Sequence, residues 1–256
     1  TKDIMDRVTT RVPCGEYFRQ RDDADRRALF QLRHVGDQPA FARLPQDRAA
    51  DPHLGHVEIK DVAPYERKDT SHVDPAMRPH KEDYDRYLSI VAACRKVGWD
   101  PEKVARTCPF FVADPGITFI LLRACRDLLA LADRLGETAA QPEVEGWISR
   151  METGAARLWN AELKAHVAMN LRTGKQTDGV SSASFLAPYA GLTDPEVLKP
   201  LQDHFDRISA KVRYLMPSYD PEHEAYEHLR YWRGPVWAMV NFMIARGFAA
   251  VGDLGR

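Results

Sequence analysis

Nothing in this 256-residue sequence approaches the ~18 consecutive apolar residues of a membrane-spanning helix, and no secretory leader is legible at its start. The chain opens on Thr1 rather than Met, which leaves a removed leader open. Cysteine is scarce: the thiols at 14, 94, 108 and 125 lack the paired spacing of a zinc site or a redox motif. Two of them fall within helical patterns, the usage of buried thiols in a reducing compartment, and this points to the cytoplasm. Net charge is nearly absent too. With 36 basic and 37 acidic side chains summing to −1, no global field recruits nucleic acid or an anionic membrane. There is no P-loop, no dinucleotide fingerprint, and no Gly-x-Ser-x-Gly context around Ser181, Ser182 or Ser184, so a serine nucleophile has no support. No self-similarity of repeat length argues for a helical scaffold. Alternating strand patterns of useful length are missing, and only short β segments fit between 164 and 180.

What is present is enough apolar material, 44% of residues, for a sizeable core, and it is arranged for helices. The stretch from Tyr231 to Gly247 organises the rest. Gly234-Pro235 has the form of a helix start, Pro235 supplying a preset φ at the first helical position, and Gly247 suits the left-handed residue beyond the end of a helix about three turns long. Val236, Trp237, Met239, Val240, Phe242, Met243 and Ile244 leave no solvated stripe, the pattern of a helix surrounded by protein. At its mouth Trp232, Trp237 and Arg233 combine a rigid aromatic platform with a forked cation, a way to hold a sugar or a carboxylate. Both tryptophans are equally compatible with plain core.

Other elements follow the same logic. Tyr84, Tyr87, Leu88 and Val91 stripe a helix from about Glu82 to Val97. Asp100-Pro101 and Asp114-Pro115 each pair a capping carboxylate with a first-position proline. The second pair opens a long helix to Gly136, apolar on several faces, as a further inner helix. Val144, Trp147, Ile148, Met151, Ala155, Leu158 and Trp159 share one face of an otherwise polar segment, as in an outer helix. Thr193-Asp194-Pro195-Glu196 reads as a capping box before a helix toward Tyr214. Residues 1–32 are charged and expected to be helical, and 34–81 form a long loop region.

The run YWRGPVWAMVNFMIARGF resembles the inner-helix motif of glycoside hydrolase family 63 and its trehalase-like relatives, the bacterial glucosylglycerate and mannosylglycerate hydrolases in particular. The stretch from Tyr65 to Pro79, ADPGITFILLRACRDL from Ala113, and SSASFLAPYAGL from Ser181 are similar to motifs of that group in the same order. The resemblance covers roughly Val57 to Gly247. It implies an all-α fold, an (α/α) toroid of inner and outer helices that is incomplete in this chain, with residues 1–256 as a single partial domain.

Inverting glycosidases hold two carboxyl groups about 6.5–9.5 Å apart, one protonating the leaving oxygen and the other activating water. The resemblance implies this mechanism. Its acid is the Asp of Asp-Asn-Ser-Pro, to which Gly36-Asp37-Gln38-Pro39 is the nearest match, so Asp37 is the candidate acid; a turn-forming Asp beside Pro39 is the competing reading. The family's base lies beyond the end of this chain. Arg78 and Tyr84 occupy positions that face the sugar or an acidic aglycone in the relatives, although by residue type alone they read as a surface arginine and a helix-stripe tyrosine. Trp232 and Trp237 complete the candidate substrate-binding set. His72 and Asp74 lack a third ligand, so no metal site is expected, and no cofactor. The expected function is hydrolysis of a small α-glucoside or α-mannoside such as glucosylglycerate or mannosylglycerate. The alternative is a non-catalytic sugar-binding or remnant domain. With its acid loop altered, the sequence as written is expected to hydrolyse little. A small carbohydrate is the expected partner, with no nucleic acid or membrane, and the oligomeric state is left open.

Overall fold

The computed structural model describes residues 51–253. The expected helix over 1–32 and the loop region before residue 51 lie outside these residues. The helices are α1 (Asp51–Leu54), α2 (Lys81–Lys96), α3 (Pro101–Thr107), α4 (Pro115–Arg134), α5 (Gln141–Ala156), α6 (Pro195–Ser209) and α7 (Ala238–Ala250). Two-residue strands β1 (Val112–Ala113) and β4 (Met169–Asn170) pair antiparallel, as do β2 (Trp159–Asn160) and β3 (Ala165–His166). Short 3₁₀ turns cover Pro75–Met77, Thr138–Ala140 and Ser182–Leu186.

Three helices start on the same Asp-Pro device. The carboxylate of Asp100 accepts from the amide of Lys103 at 2.9 Å, that of Asp114 from Ile117 at 3.0 Å, and that of Asp194 from Glu196 at 2.9 Å. Each proline then fills a position whose N–H would have had no partner. The third case corrects the expected capping box: Asp194, not Thr193, is the cap of α6, because the proline that follows it fixes the first helical residue.

The layers are those of an α/α toroid. Helix α4 packs along α5, and both α4 and α7 pack on the Ser182–Leu186 turn. Phe119, Leu122, Phe185, Leu201, Ile208, Ile244 and Phe248 are fully enclosed at this junction. Each such side chain contributes roughly 1.5–3 kcal/mol by leaving water. Phe185, Phe205 and Phe248 form an edge-to-face chain, with ring centroids 6.1 and 5.3 Å apart, that links the turn to α6 and α7. In α5, Val144, Met151 and Ala155 are buried on one face, the expected outer-helix arrangement. A second core of Leu54, Val57, Ile90, Cys94, Cys108, Phe110, Val112 and Ala168 joins α1 and α2 to β1. Cys94, Cys108 and Cys125 are buried free thiols.

Helix α7 departs from its sequence reading in three ways. It begins at Ala238 with Trp237 in the capping position, so Pro235 belongs to the preceding loop. Gly247 lies inside the helix, and the left-handed glycine beyond the end is Gly252, at φ +81°. Gly247 serves packing instead: a Cβ there would sit 2.5 Å from the backbone nitrogen of Tyr189, so only glycine lets α7 approach the chain at Pro188–Tyr189. Finally, α7 is not covered all round by the described residues. Val240, Asn241, Ile244 and Phe248 are buried, while Met239 and Phe242 are 66% and 67% exposed.

His166 illustrates how closed the junction is. Its ring stands edge-on to Phe119 and to Trp159, with centroids 5.1 Å away in both cases, and burial lowers its pKa to about 4 from an ordinary 6.5. In the unfolded chain it takes a proton near pH 6.5; in the folded state it resists until about pH 4. Its contribution is therefore complete above pH 6.5 and is lost as the pH falls from 6.5 toward 4. Urea unfolding of the wild type and a His166→Gln variant tests this. The wild-type advantage should shrink by on the order of 2 kcal/mol between pH 7.5 and 4.5, and a constant difference would contradict the assignment.

Candidate functional site

The loop that carries the aromatic motif is fastened by one buried side chain. The Asn241 carbonyl oxygen accepts from the Met216 amide at 2.9 Å, and its Nδ2 donates to the carbonyls of Met216 at 2.9 Å and Trp237 at 3.1 Å. The Ser218 amide also donates to the Pro235 carbonyl at 3.1 Å, closing the loop's two ends on each other. Within it, the Arg230 amide donates to Glu227, the Arg233 amide to Arg230, and the Glu227 amide back to Arg233, at 2.8, 2.7 and 3.2 Å. Gly234 runs so close to the backbone of Glu227 and His228 that no Cβ would fit. The Glu227 carboxylate pairs with both Arg230 and Arg233.

This folding presents three rings together. Trp232 and Trp237 lie with centroids 4.8 Å apart and planes 33° from parallel; Tyr231 stands edge-on to both, at 5.9 and 5.3 Å. Neither indole N–H meets an acceptor among the described residues, and both are shielded from solvent.

The facing segment is 65–84. Asp74 caps the Pro75–Met77 turn by accepting from the Ala76 amide at 2.9 Å, and the turn aims Arg78 at the rings. The Tyr231 amide donates to the Met77 carbonyl at 3.0 Å, and Arg230 Nη1 donates to the Arg78 carbonyl at 2.7 Å. Arg78 lies over the Tyr231 ring, its guanidinium carbon 4.3 Å from the centroid, and its Nε donates to Asp69 at 3.0 Å. Asp69 also takes Nε and Nη2 of Arg67, at 3.1 and 2.7 Å. The third donor of Arg67, Nη1, goes to the Pro79 carbonyl at 2.8 Å, and its guanidinium lies 4.0 Å over the Tyr84 ring. The Arg67 hydrogen bonds, with further help from Arg78 and Tyr84, hold the Asp69 carboxyl far below the usual range despite partial burial. Burial, followed by the neighbouring Asp69, pushes the Tyr84 phenol up. Nearby Tyr65 is pushed up to about 12 by burial and by donating to Asp85 at 2.8 Å.

Four of the five expected site residues thus form one connected cluster at the N-terminal ends of α2 and α7: Arg78, Tyr84, Trp232 and Trp237. Asp37 lies outside the described residues. A second guanidinium joins the aromatic group from across the structure, Arg78 over the Tyr231 ring, while Arg233 pairs with Glu227. Sequence reasoning passed over Asp69, Arg67, Tyr231, Glu227 and Asn241. A carboxylate two residues from Arg67 was the only local signal for Asp69. Among the described residues no three His, Cys, Asp or Glu side chains are gathered to hold a metal ion, and no helix is long and apolar enough to cross a membrane.

Two helical layers with paired indoles and a forked cation at the N-terminal ends of two helices define the class, a helical-toroid domain of the architecture seen in family 63 glycoside hydrolase structures. The chain belongs to the mannosylglycerate hydrolase MGH1-like glycoside hydrolase domain family, whose sequence profile matches residues 27–256. It is 43% identical over 214 residues to a mannosylglycerate hydrolase of Thermus thermophilus, covering 84% of this chain and 51% of that protein. It is 37% identical over 204 residues to a mannosylglycerate hydrolase of Selaginella moellendorffii, covering 80% and 42%. The crystal structure of the family 63 mannosylglycerate hydrolase from Thermus thermophilus with Tris and D-glycerate superposes with a TM-score of 0.83 at 39% identity, over 90% of this chain and 57% of that one. The chain therefore spans about half the length of its curated relatives.

Because Asn241 satisfies three backbone groups at once, Asn241→Leu should strand buried donors and acceptors at a cost of about 2–4 kcal/mol. Chemical denaturation should show that loss, and tryptophan emission should change as the Trp232–Trp237 stack loosens. Unchanged stability and emission would show that the loop is held by other means.

Proposed function

We propose that the protein is an inverting α-glycoside hydrolase acting on a small α-mannoside or α-glucoside of glyceric acid, mannosylglycerate first among them. The observation that carries this reading is Arg78, stacked on Tyr231 and steered by Asp69, at the edge of the paired indoles. A forked, permanently charged donor beside an aromatic platform matches a ligand with a carboxylate at one end and a pyranose at the other. The presence of D-glycerate in a similar structure and the names of the similar hydrolases support the same choice.

The chemistry would require an acid to protonate the glycosidic oxygen and a base to activate water from the opposite face of the ring. Asp37 is the acid we nominate, on its resemblance to the family's Asp-Asn-Ser-Pro loop. The altered surroundings of Asp37 favour a second reading, in which the cluster binds sugar without hydrolysis.

Two substitutions separate these readings. Arg78→Ala should lower kcat/KM for mannosylglycerate about 100-fold, the cost of removing one partner from a sheltered charge pair, while a neutral mannoside loses much less. Equal losses on both would remove Arg78 from aglycone recognition. Asp37→Asn keeps the shape and removes the proton, so hydrolysis should fall about 10²–10⁴-fold. Both tests use a completed chain that also carries the family's base; activity that survives Asp37→Asn there would leave Asp37 as a turn residue, and hydrolysis absent from that completed chain would favour the binding reading.

A further inference from the structure

We infer that Asp69 is a positioning residue that sets the selectivity of Arg78 for a singly charged carboxylate. The inference rests on the reading that Arg78 meets the aglycone. Its basis is the way one carboxylate is shared between two arginines. Arg67 grips Asp69 side-on, Nε on one oxygen at 3.1 Å and Nη2 on the other at 2.7 Å. Arg78 reaches the second oxygen through Nε alone, at 3.0 Å. Asp69 is thus occupied by Arg67 and cannot take a two-point hold on Arg78.

Two consequences follow. First, the Nη1 and Nη2 end of Arg78, the end best shaped for a two-point bond to a carboxylate, pairs with no carboxylate among the described residues. Its direction is set by Asp69 behind and by the Tyr231 ring beneath, and its remaining neighbours among the described residues are the Tyr84 and Tyr231 hydroxyls. Second, two guanidinium charges against one carboxylate leave one positive charge. The three side chains are only 16%, 22% and 15% exposed for Arg67, Arg78 and Asp69, so water screens that charge incompletely. One uncompensated positive charge suits a monoanion such as glycerate. Arg67 has every nitrogen engaged, two with Asp69 and one with the Pro79 carbonyl, and does not compete for the ligand. Removing the Asp69 charge would place two guanidinium groups around one neutral amide, and their repulsion would turn Arg78 away.

Calorimetric titration with D-glycerate and with methyl α-D-mannoside tests this without requiring turnover. Wild-type protein should bind both. Asp69→Asn should weaken D-glycerate at least 10-fold and leave the mannoside within about 3-fold, because the indole pair does not depend on Asp69. Tartronate, a dianion of similar size, should gain relative to D-glycerate in Asp69→Asn, since the carboxylate that repels a second negative charge is gone; a purely structural role would weaken both alike. Arg78→Lys is the second variant. A lone ammonium is drawn to Asp69 and keeps no fork for a ligand, so D-glycerate should weaken as far as in Arg78→Ala. If wild-type protein fails to bind D-glycerate, the aglycone reading fails and this inference falls with it. If it binds D-glycerate and Asp69→Asn keeps that affinity within 3-fold, the inference alone is overturned. Should Asp69→Asn not fold, Arg78→Lys decides: affinity near wild type overturns the inference, and affinity at the Arg78→Ala level sustains it.

Discussion

The cluster depends on a seam between two stretches of chain that are far apart in sequence. A backbone bond from the Tyr231 amide to the Met77 carbonyl and the reach of Arg230 to the Arg78 carbonyl, 152 residues away, join them. Neither bond is strong by itself, each worth about 1 kcal/mol net. Their effect is geometric: they place the Tyr231 ring beneath Arg78 and bring the indole pair alongside. A shift of one turn on either side would leave a cation with no ring and an aromatic platform with no charge.

Around this seam the polar groups follow one rule. Each carboxylate serves two arginines, Asp69 between Arg67 and Arg78, Glu227 between Arg230 and Arg233. Around Asp69 the sharing leaves two guanidinium groups against one carboxylate among the described residues, which a sheltered site tolerates because each guanidinium keeps a hydrogen-bond partner and an aromatic face. It also fixes rotamers of long side chains that would otherwise lose much freedom on binding a ligand. Selectivity and rigidity then come from the same contacts.

The helical layers supply the support. The Ser182–Leu186 turn, enclosed by α4 and α7, holds the two helices at close range, and Gly247 permits α7 to rest on the backbone at Tyr189. Asn241, one turn into α7, converts that placement into a position for the loop bearing Trp232 and Trp237. The chain of cause runs from a missing Cβ, through a helix position, to the spacing of two indoles.

Much of this was legible in the sequence. Asp-Pro pairs start helices because a short carboxylate and a proline solve the first-turn amide problem locally, so α3, α4 and the proline of α6 could be read without a fold. The one-sided apolar stripe of α5 follows from helical periodicity, and the motifs around Arg78, Tyr84, Trp232 and Trp237 carried the family resemblance. Other features depended on distance in space. Gly247 looked like a helix terminator because local chemistry cannot register a backbone approaching from Tyr189. Arg233 was legible as a cation near the tryptophans because it is their sequence neighbour, whereas only the fold brings Arg78 onto the Tyr231 ring and sets Glu227 between Arg230 and Arg233. Asp69 had only its place two residues from Arg67 to mark it, and its grip on Arg78 nine residues on is a contact of the fold. By itself the sequence determined which segments coil and which side they bury, since those are set by neighbours within a few residues; the tertiary structure decided which charge faces which ring, since that is set by contacts among groups the chain order keeps apart.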